Sequence, residues 1–158
     1  MSKRRVSPGL LFWGIVLTDQ LLKIAVQNLM RVRESIPVWP QVFHITYVQN
    51  IGAAFGMFGG ARYFFIVTAL VLLFVVALIY PRLRRRSAWL HYGVLAMAGG
   101  TLGNLIDRIY NGAVIDYLDF RVWPVFNLAD IAIVIGTFAI VYASLFVNNA
   151  DEQRIKRN

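Results

Sequence analysis

Few side chains in this chain of 158 residues are able to carry out chemistry: eight acidic residues, two histidines and no cysteine. Asp130 stands out because it lies in an apolar run, where an ionisable side chain is costly and is usually kept for function. Two carboxylates that share a proton can activate water, since the ionised one accepts a proton while the protonated one polarises a carbonyl group. A carboxylate pair is therefore one chemistry open to this chain, although Asp116, in a loop, is not exceptional by itself.

Other catalytic chemistries fit the sequence less well. Without cysteine there is no thiolate nucleophile and no cysteine-ligated metal. His44 and His91 lie far apart and do not form a metal-binding spacing. Neither histidine is placed to serve a serine nucleophile as its base, and hydrogen bonding at the interface is the simpler account of His44. We therefore expect carboxylate chemistry with no metal and no organic cofactor.

The elements that must position these residues are membrane helices. Hydrophobic residues make up 58% of the chain and charged residues only 15%, against about 25% charged in soluble domains. Four runs reach the ~20 apolar residues that span a bilayer, at residues 8–29, 63–80, 88–106 and 126–147. The first contains Asp19, Gln20 and Lys23, which favours a retained helix over a cleaved signal peptide. Pro81 is expected to end the second. The sequence thus predicts one all-α integral membrane domain over residues 1–158.

The basic residues predict the orientation of these helices. Ten of the sixteen Lys and Arg lie near the termini or after the second helix: Lys3, Arg4, Arg5, Arg82, Arg84, Arg85, Arg86, Arg154, Lys156 and Arg157. Such clusters beside apolar runs are typical of cytoplasmic flanks and argue against a nucleic-acid partner. Both termini should therefore be cytoplasmic, with residues 30–62 and 107–125 on the outer side.

The outer segments are predicted to form a small β-cradle at the membrane interface. Residues 42–50 and 113–124 are rich in β-branched and aromatic side chains, as strands are. A glycine-rich apolar stretch, residues 52–60, follows the first of them and is expected to rest against the membrane surface. Trp39 and Trp123 fit an aromatic belt at the interface.

Most of the unusual polar residues then fall in one layer near the outer surface. Asn127 and Asp130 are three residues apart and share a face of the fourth helix, with Asp130 only about 6 Å below its start. Asn50, Asn104, Asp107, Arg108 and Asp116 reach the same level, and Asp19 and Lys23 lie somewhat deeper. A transporter more often places such groups at the midplane or along a path. A layer at one surface favours chemistry on a substrate that lies in the membrane.

Structural roles are the alternative for several of these residues. Asp19 and Lys23 have the i, i+4 spacing of a helical ion pair. Asn104 and Asn127 could join helices by hydrogen bonds, and the Gly99–Gly103 pattern predicts close helix packing. Asp107 with Arg108 could be a solvated helix end or part of an ion-pair network, and Asp119 with Arg121 is typical of solvated loop residues.

Five motifs resemble those of the bacterial lipoprotein signal peptidases, also called signal peptidase II. They are DQLLK at residues 19–23, NIGAAFG at 50–56, GGTLGNLIDR at 99–108, VIDY at 114–117 and FNLAD at 126–130. Each alone is weak, but five in the family's order in a chain of the family's length are specific. The interval between Asp116 and Asp130 is short, which trims a variable loop.

The resemblance implies a membrane-resident aspartic endopeptidase that cuts prolipoproteins just before a diacylglyceryl-modified cysteine. It implies that Asp116 and Asp130 are the catalytic pair. It also implies a supporting or substrate-binding role for the residues that match the family's other polar and glycine positions: Asp19, Lys23, Asn50, Gly52, Asn104, Arg108 and Asn127. The resemblance also implies that the protein is a monomer in the bacterial inner membrane and contacts membrane lipids. It implies inhibition by globomycin-type peptides as well.

Two functions of other classes stay open at this point. A small proton-coupled transporter would use Asp19 and Asp130 as protonatable groups and would conduct. A non-catalytic membrane assembly subunit would use the glycine pattern to pack its helices. Both leave the five motifs unexplained.

Overall fold

The computed structural model describes residues 7–52, 62–83 and 87–147. The basic clusters at 3–5, 84–86 and 154–157 lie outside the described residues, as does most of the glycine-rich stretch, at 53–60. In chain order the elements are α1 (Pro8–Leu29), β1 (Ser35–Trp39), β2 (Phe43–Asn50), α2 (Arg62–Leu83), α3 (Ala88–Tyr110), β3 (Val114–Asp119) and α4 (Leu128–Tyr142), which continues as one π-helical turn (Ala143–Val147).

The helices form a bundle in which α3 is central. It packs against α1, α2 and α4, and eleven of its 23 residues are buried, whereas α2 buries only Val76. Among the described residues three helices are long and apolar enough to cross a membrane, at Pro8–Leu29, Arg62–Leu83 and Leu128–Val147. The central helix is as long, but it carries the glycines and polar residues that the other helices enclose. The architecture is thus a mostly helical membrane-type fold with three apolar helices and a small sheet.

Glycines let the neighbouring helices approach α3 closely, as the Gly99–Gly103 pattern predicts. A Cβ atom on Gly99 would lie 3.2 Å from the backbone oxygen of Phe12 on α1. At Gly103 it would lie 2.5 Å from Oδ2 of Asp19. Gly93 and Gly136 face each other's backbone between α3 and α4. A methyl group at Gly93 or Gly136 would push the helices apart, because backbone atoms cannot move aside as side-chain ends can. At Gly103 it would displace the Asp19 carboxylate.

A three-stranded antiparallel sheet, in the order β1-β2-β3, lies at one end of the helix bundle. Strands β2 and β3 confirm the strands expected in residues 42–50 and 113–124, while β1 was not predicted because Pro37 sits in its middle, which only an edge strand tolerates. Side chains of the two longer strands pack on the end of α1 in a cluster of Val26, Met30, Tyr47, Ile115 and Tyr117. This cluster fixes the sheet to the bundle.

The helix boundaries differ from expectation at three places. Helix α3 runs to Tyr110 and not to 106, because Asp107 is buried in an ion pair and the turn follows only at Asn111 and Gly112, whose φ is +76°. Helix α4 begins at Leu128, since Phe126 pairs with Leu118 in the sheet. Helix α2 continues past Pro81 to Leu83, because a proline so near the end removes few backbone hydrogen bonds.

Candidate active site

Asp116 lies in the middle of β3, and its carboxylate is held by two asparagines. Asn50 at the end of β2 donates from Nδ2 to Oδ2 at 2.9 Å, and Asn127 donates from Nδ2 to Oδ1 at 2.7 Å. Antiparallel pairing brings Asn50 close, because β2 opposes β3 with Val48 facing Asp116 and Asn50 facing Val114. The side chain is only 2% exposed, so its orientation is set by these donors.

Asp130 lies in the first turn of α4 and forms a capping box with Asn127. The Asn127 side chain accepts from the Asp130 backbone N–H at 2.9 Å, and the Asn127 backbone N–H donates to Asp130 Oδ2 at 3.2 Å. Asn104 of α3 donates from Nδ2 to Oδ1 at 2.8 Å. Asn127 was expected on the same helical face as Asp130. Instead it is the N-cap, a position that asparagine favours because its side chain satisfies a free helix N–H.

Asn127 therefore contacts both carboxylates, one through its side chain and the other through its backbone. Asp116 and Asp130 line the same cavity of about 400 Å³. Its polar end also includes Asn50, Gly52, Asn104 and Arg108. Its other walls are apolar and come from α2, α4 and the segment after β3: Phe65, Ala69, Trp123, Pro124, Val125, Phe126, Ile133 and Val134.

Gly52 and Arg108 also line the cavity, but their hydrogen bonds go to asparagines and not to the two carboxylates. The Gly52 N–H donates to Oδ1 of Asn50 at 3.0 Å, which orients that amide toward Asp116. The Arg108 guanidinium lies 4.9 Å over the ring of Phe65, a cation–π arrangement, and donates from Nη1 to the Asn104 backbone oxygen at 3.3 Å. Its positive charge stands at the wall of a cavity that holds two acids.

The surroundings of Asp116 make it a much weaker acid than an ordinary aspartic acid. Burial, followed by the nearby charge of Asp130, raises the pKa of Asp116 from 3.8 to about 7, against the opposing hydrogen bonds of Asn50 and Asn127. The expectation that one of two close carboxylates has a raised pKa agrees with this shift. A group of this kind can hold a proton near neutral pH and release it during a reaction.

Asp19 and Lys23 lie behind the dyad of Asp116 and Asp130 and do not line the cavity. Their expected i, i+4 ion pair is confirmed, with Nζ of Lys23 2.8 Å from Oδ2 of Asp19. Lys23 also lies 2.8 Å from Oδ2 of Asp107 and donates to Oδ1 of Asn104 at 2.9 Å. This contact fixes the Asn104 amide, because a lysine can only donate, and so turns its Nδ2 toward Asp130.

The structure also defines the surroundings of three residues that the sequence left open or described differently. Gln20 donates to Asp107 Oδ1 and to the Gly103 backbone oxygen, each at 3.1 Å. The position of Gln20 beside Asp19 in an apolar helix could have indicated that its side chain is buried in a polar cluster. Of the two alternatives for Asp107, the ion-pair network is confirmed and the solvated helix end is wrong, since Asp107 is 1% exposed and lies 2.8 Å from Lys23. Asp119 is not solvated either, since it is 5% exposed on β3 and accepts from Thr46 at 2.7 Å.

Elsewhere the described residues offer little for chemistry. A groove of about 440 Å³ near the other end of the bundle, lined by α3, α4 and Leu11, has no carboxylate and no basic side chain. Within the described ranges no three His, Asp or Glu side chains are grouped as metal ligands would be. The cavity with two acids is thus where the described part of the chain concentrates its reactive groups.

Comparison with known proteins identifies the family. The signal peptidase II sequence model matches residues 11–146. The lipoprotein signal peptidase of Pelotomaculum thermopropionicum is 46% identical over 142 residues, which cover 90% of this chain and 92% of that protein. The lipoprotein signal peptidase of Halothermothrix orenii is 51% identical, covering 80% and 87%. A solved bacterial membrane enzyme superposes with a TM-score of 0.83 at 29% identity, covering 87% of each chain.

These similarities extend over most of the length of both partners, and the span matched by the family model contains the positions of all five motifs. They give no support to a transporter, and an assembly subunit would not account for a peptidase family match at this coverage. The chain therefore belongs to the signal peptidase II family of membrane aspartic peptidases, the lipoprotein signal peptidases.

Proposed function

We propose that Asp116 and Asp130 are the catalytic pair with which this chain removes the signal peptide from prolipoproteins, cutting before a diacylglyceryl-modified cysteine. One observation carries the proposal: two carboxylates from different elements meet at one cavity through a single residue, Asn127. A structural role for either acid would not require both to face the same space.

The surroundings of the two acids favour different protonation states. Asp130 accepts a backbone N–H at the start of α4, where the helix dipole stabilises negative charge. Asp116 is buried, and its pKa of about 7 favours the protonated form at neutral pH. We therefore assign Asp130 as the base and Asp116 as the acid of the pair.

The reaction then proceeds through one water molecule. Its oxygen attacks the scissile carbonyl carbon while Asp130 takes its proton and Asp116 donates a proton to the carbonyl oxygen, which gives a tetrahedral diol. The C–N bond breaks as Asp130 passes its proton to the leaving nitrogen. A hydroxyl of the diol returns a proton to Asp116, so the pair ends as it began. No metal or organic cofactor takes part in this scheme.

The supporting residues hold this geometry or meet the substrate. Asn104 and Asn127 fix the two carboxylates, and Asn50, oriented by Gly52, fixes the far side of Asp116. Arg108, at the cavity wall, is suited to bind a peptide carbonyl or to screen the dyad's charge. Asp19 and Lys23 act from behind, through Asn104 and the backbone.

The cavity suits a substrate that is part lipid and part peptide. Its polar end holds the acids, and its apolar walls continue along α2 and α4, both able to span a membrane. A diacylglyceryl group can lie against the apolar walls while the scissile bond reaches the acids. The same shape would accept globomycin-type peptide inhibitors, and the apolar outer surfaces of the helices would contact membrane lipids.

The topology proposed for the chain follows from the bundle and the basic clusters. α3 crosses as a fourth helix, enclosed by the three apolar ones, so both termini are cytoplasmic and the sheet lies at the outer face. The site then faces outward in the bacterial inner membrane, at the depth where a signal peptide helix emerges. The chain works as a single domain over residues 1–158 and as a monomer, because both acids come from one chain.

The test is cleavage of a diacylglyceryl-modified prolipoprotein by the detergent-purified full chain, wild type against Asp130→Asn. The substitution keeps the shape of the side chain and removes its titratable group. Wild type should cut before the lipidated cysteine and the variant should not, with both folded by circular dichroism. Equal cutting by both would refute the dyad. Folded wild type that cuts no prolipoprotein would refute the function, and flux in vesicles would then be measured.

A further inference from the structure

Behind the dyad lies a buried cluster of charge centred on Lys23. The ammonium group lies 2.8 Å from a carboxylate oxygen of Asp19 and 2.8 Å from one of Asp107. All three residues are at most 1% exposed. Gln20 joins the two acids, donating to Asp19 at 3.3 Å and to Asp107 at 3.1 Å. None of these side chains lines the cavity, so none reaches the substrate.

Each acid of this cluster also holds one backbone N–H outside it. Asp107 Oδ2 accepts from the N–H of Ile115 at 3.0 Å. Asp19 Oδ1 accepts from the N–H of Ala129 at 3.0 Å. Ile115 immediately precedes Asp116, and Ala129 immediately precedes Asp130. The two partners of Lys23 therefore fix the chain at the residue before each acid of the dyad.

These contacts connect the four elements whose relative positions determine the geometry of the dyad. Asp19 and Lys23 belong to α1 and Asp107 to α3, while the dyad comes from β3 and α4. A buried ion cluster is weak evidence for stability, because desolvation offsets much of the attraction. Its geometric value is clearer, since catalytic groups must be held within about 0.5 Å of their productive positions.

We propose that Lys23, Asp19 and Asp107 are positioning residues that set the separation of the two catalytic carboxylates. Asp107 positions Asp116 through Ile115, Asp19 positions Asp130 through Ala129, and Lys23 holds the two acids at a fixed distance. The inference rests on the proposed function, which supplies the dyad, and adds a role for Asp107 that the cavity alone does not indicate.

The test compares Asp107→Asn with Asp107→Ala in the prolipoprotein cleavage assay. Asparagine keeps an oxygen that can accept from Ile115 and leaves Lys23 paired with Asp19, whereas alanine removes the anchor. We expect kcat per folded molecule to fall about 100-fold in the alanine variant at unchanged KM, the effect of a small misplacement, and to recover to within about tenfold of wild type in the asparagine variant. Asp119→Ala is the matched control, a buried carboxylate on β3 with its own partners, and it should cleave like wild type.

Asp107→Glu provides an independent test if the alanine variant does not fold. Glutamate keeps the charge pair with Lys23 but moves the carboxylate by one methylene, so a positioning role predicts a lower kcat than in Asp107→Asn. Wild-type kcat in Asp107→Glu would overturn the proposal. So would equal losses in Asp107→Asn and Asp107→Ala, which would indicate charge alone, or a melting temperature that falls in Asp107→Ala while kcat does not.

Asp116→Asn is measured beside these variants to separate the two levels of inference. Full activity of Asp116→Asn would overturn the proposed function itself, and the positioning role with it. An inactive Asp116→Asn beside a fully active Asp107→Ala would overturn the positioning role only.

Discussion

Strand β3 carries two buried aspartates that illustrate different uses of the same side chain. Asp116 and Asp119 are three residues apart and 2% and 5% exposed. Because side chains alternate along a strand, an odd separation directs them to opposite faces of the sheet. Asp116 meets asparagines and a second acid, whereas Asp119 meets the Thr46 hydroxyl at 2.7 Å and the Arg121 guanidinium at 3.0 Å.

The pKa values of the two groups move in opposite directions. Burial and the charge of Asp130 raise the pKa of Asp116 to about 7. Burial also acts against the charged form of Asp119, but hydrogen bonds from Thr46 and Arg121 outweigh it and lower the pKa of that carboxyl. Low exposure alone therefore does not make an acid reactive. The sign of the neighbouring charge and the number of good donors decide whether burial raises or lowers the pKa of the carboxyl.

The strongest test of this contrast is the same substitution at both positions. Asp116→Asn should lower kcat/KM for prolipoprotein cleavage by roughly 10³- to 10⁴-fold, because the proton donor of the dyad is lost. Asp119→Asn should leave it unchanged, since that residue lies outside the cavity. Steady-state kinetics on the two purified variants checks this. Comparable losses at both positions would mean that the sheet, and not the dyad, limits activity.

A smaller effect is expected at Asn127, which both caps α4 and orients the dyad. Serine can still cap the helix but cannot donate to Asp116, whereas alanine can do neither. Both variants should lose roughly 100-fold in kcat through misplacement of Asp116. Only Asn127→Ala should also lose the cap, worth about 1 kcal/mol of unfolding free energy. Kinetics and thermal unfolding measured together test the separation, and equal melting temperatures of the two variants would contradict it.

The raised pKa of Asp116 also predicts how stability and rate depend on pH. Between its unfolded value of 3.8 and about 7, the folded chain keeps a proton that the unfolded chain releases. The free energy of unfolding therefore decreases as pH rises through that window. Asp116→Asn should match wild type at about pH 3, below the unfolded value, and melt a few degrees higher at about pH 8, where wild type carries a buried charge.

The wild-type cleavage rate should fall as pH rises above about 7, because the dyad then loses its shared proton. Thermal scans and rates across pH measure both effects. A melting-temperature difference between Asp116→Asn and wild type that is the same at both pH values would show that Asp116 does not titrate in this range.

The smallest effect is expected for Asp119→Asn, in stability alone. A lowered pKa means that Asp119 stabilises the fold above its unfolded value of 3.8 and that this contribution is lost as pH falls through the folded value. Arg121 is 48% exposed, so solvent screens the pair, and a loss of about 1 kcal/mol or less is expected at neutral pH. Thermal unfolding should show this difference shrink as the buffer is acidified. A loss of several kcal/mol would mean that the hydrogen bond from Thr46 holds the sheet together.

The sequence predicts the helices well because membrane helices are long and uniformly apolar. α1 matches its expected span of 8–29, and α2 differs only at its ends. Local pattern also revealed β2 and β3, where β-branched residues concentrate. It did not reveal β1, whose five residues are all exposed and include Pro37. It ended α3 too early because the reason for continuing, the burial of Asp107 against Lys23, involves another helix.

For the site, the sequence predicted the individual acids but not the contacts that connect them. Asp130 could be singled out from its apolar context, and Asp116 only from the motif that surrounds it. The link between them could not be predicted, because it depends on the rotamer of Asn127 and the register of β3 against β2. The burial of Asp119 could not be predicted from the sequence either. Nothing in its local sequence distinguishes a solvated loop acid from one buried by a threonine on the neighbouring strand.

The cavity has two kinds of wall, and they should respond differently to selection by an inhibitor. At the polar end the lining asparagines also hold the acids, Asn50 by donating to Asp116 and Asn104 by donating to Asp130, so a substitution there that weakens a drug contact should also lower activity. The apolar wall of Phe65, Ala69, Ile133 and Val134 is not constrained by the dyad's hydrogen bonds, and one apolar side chain can replace another there. Resistance should therefore arise along the apolar wall, and compounds that bind mainly to the polar end should leave fewer routes of escape.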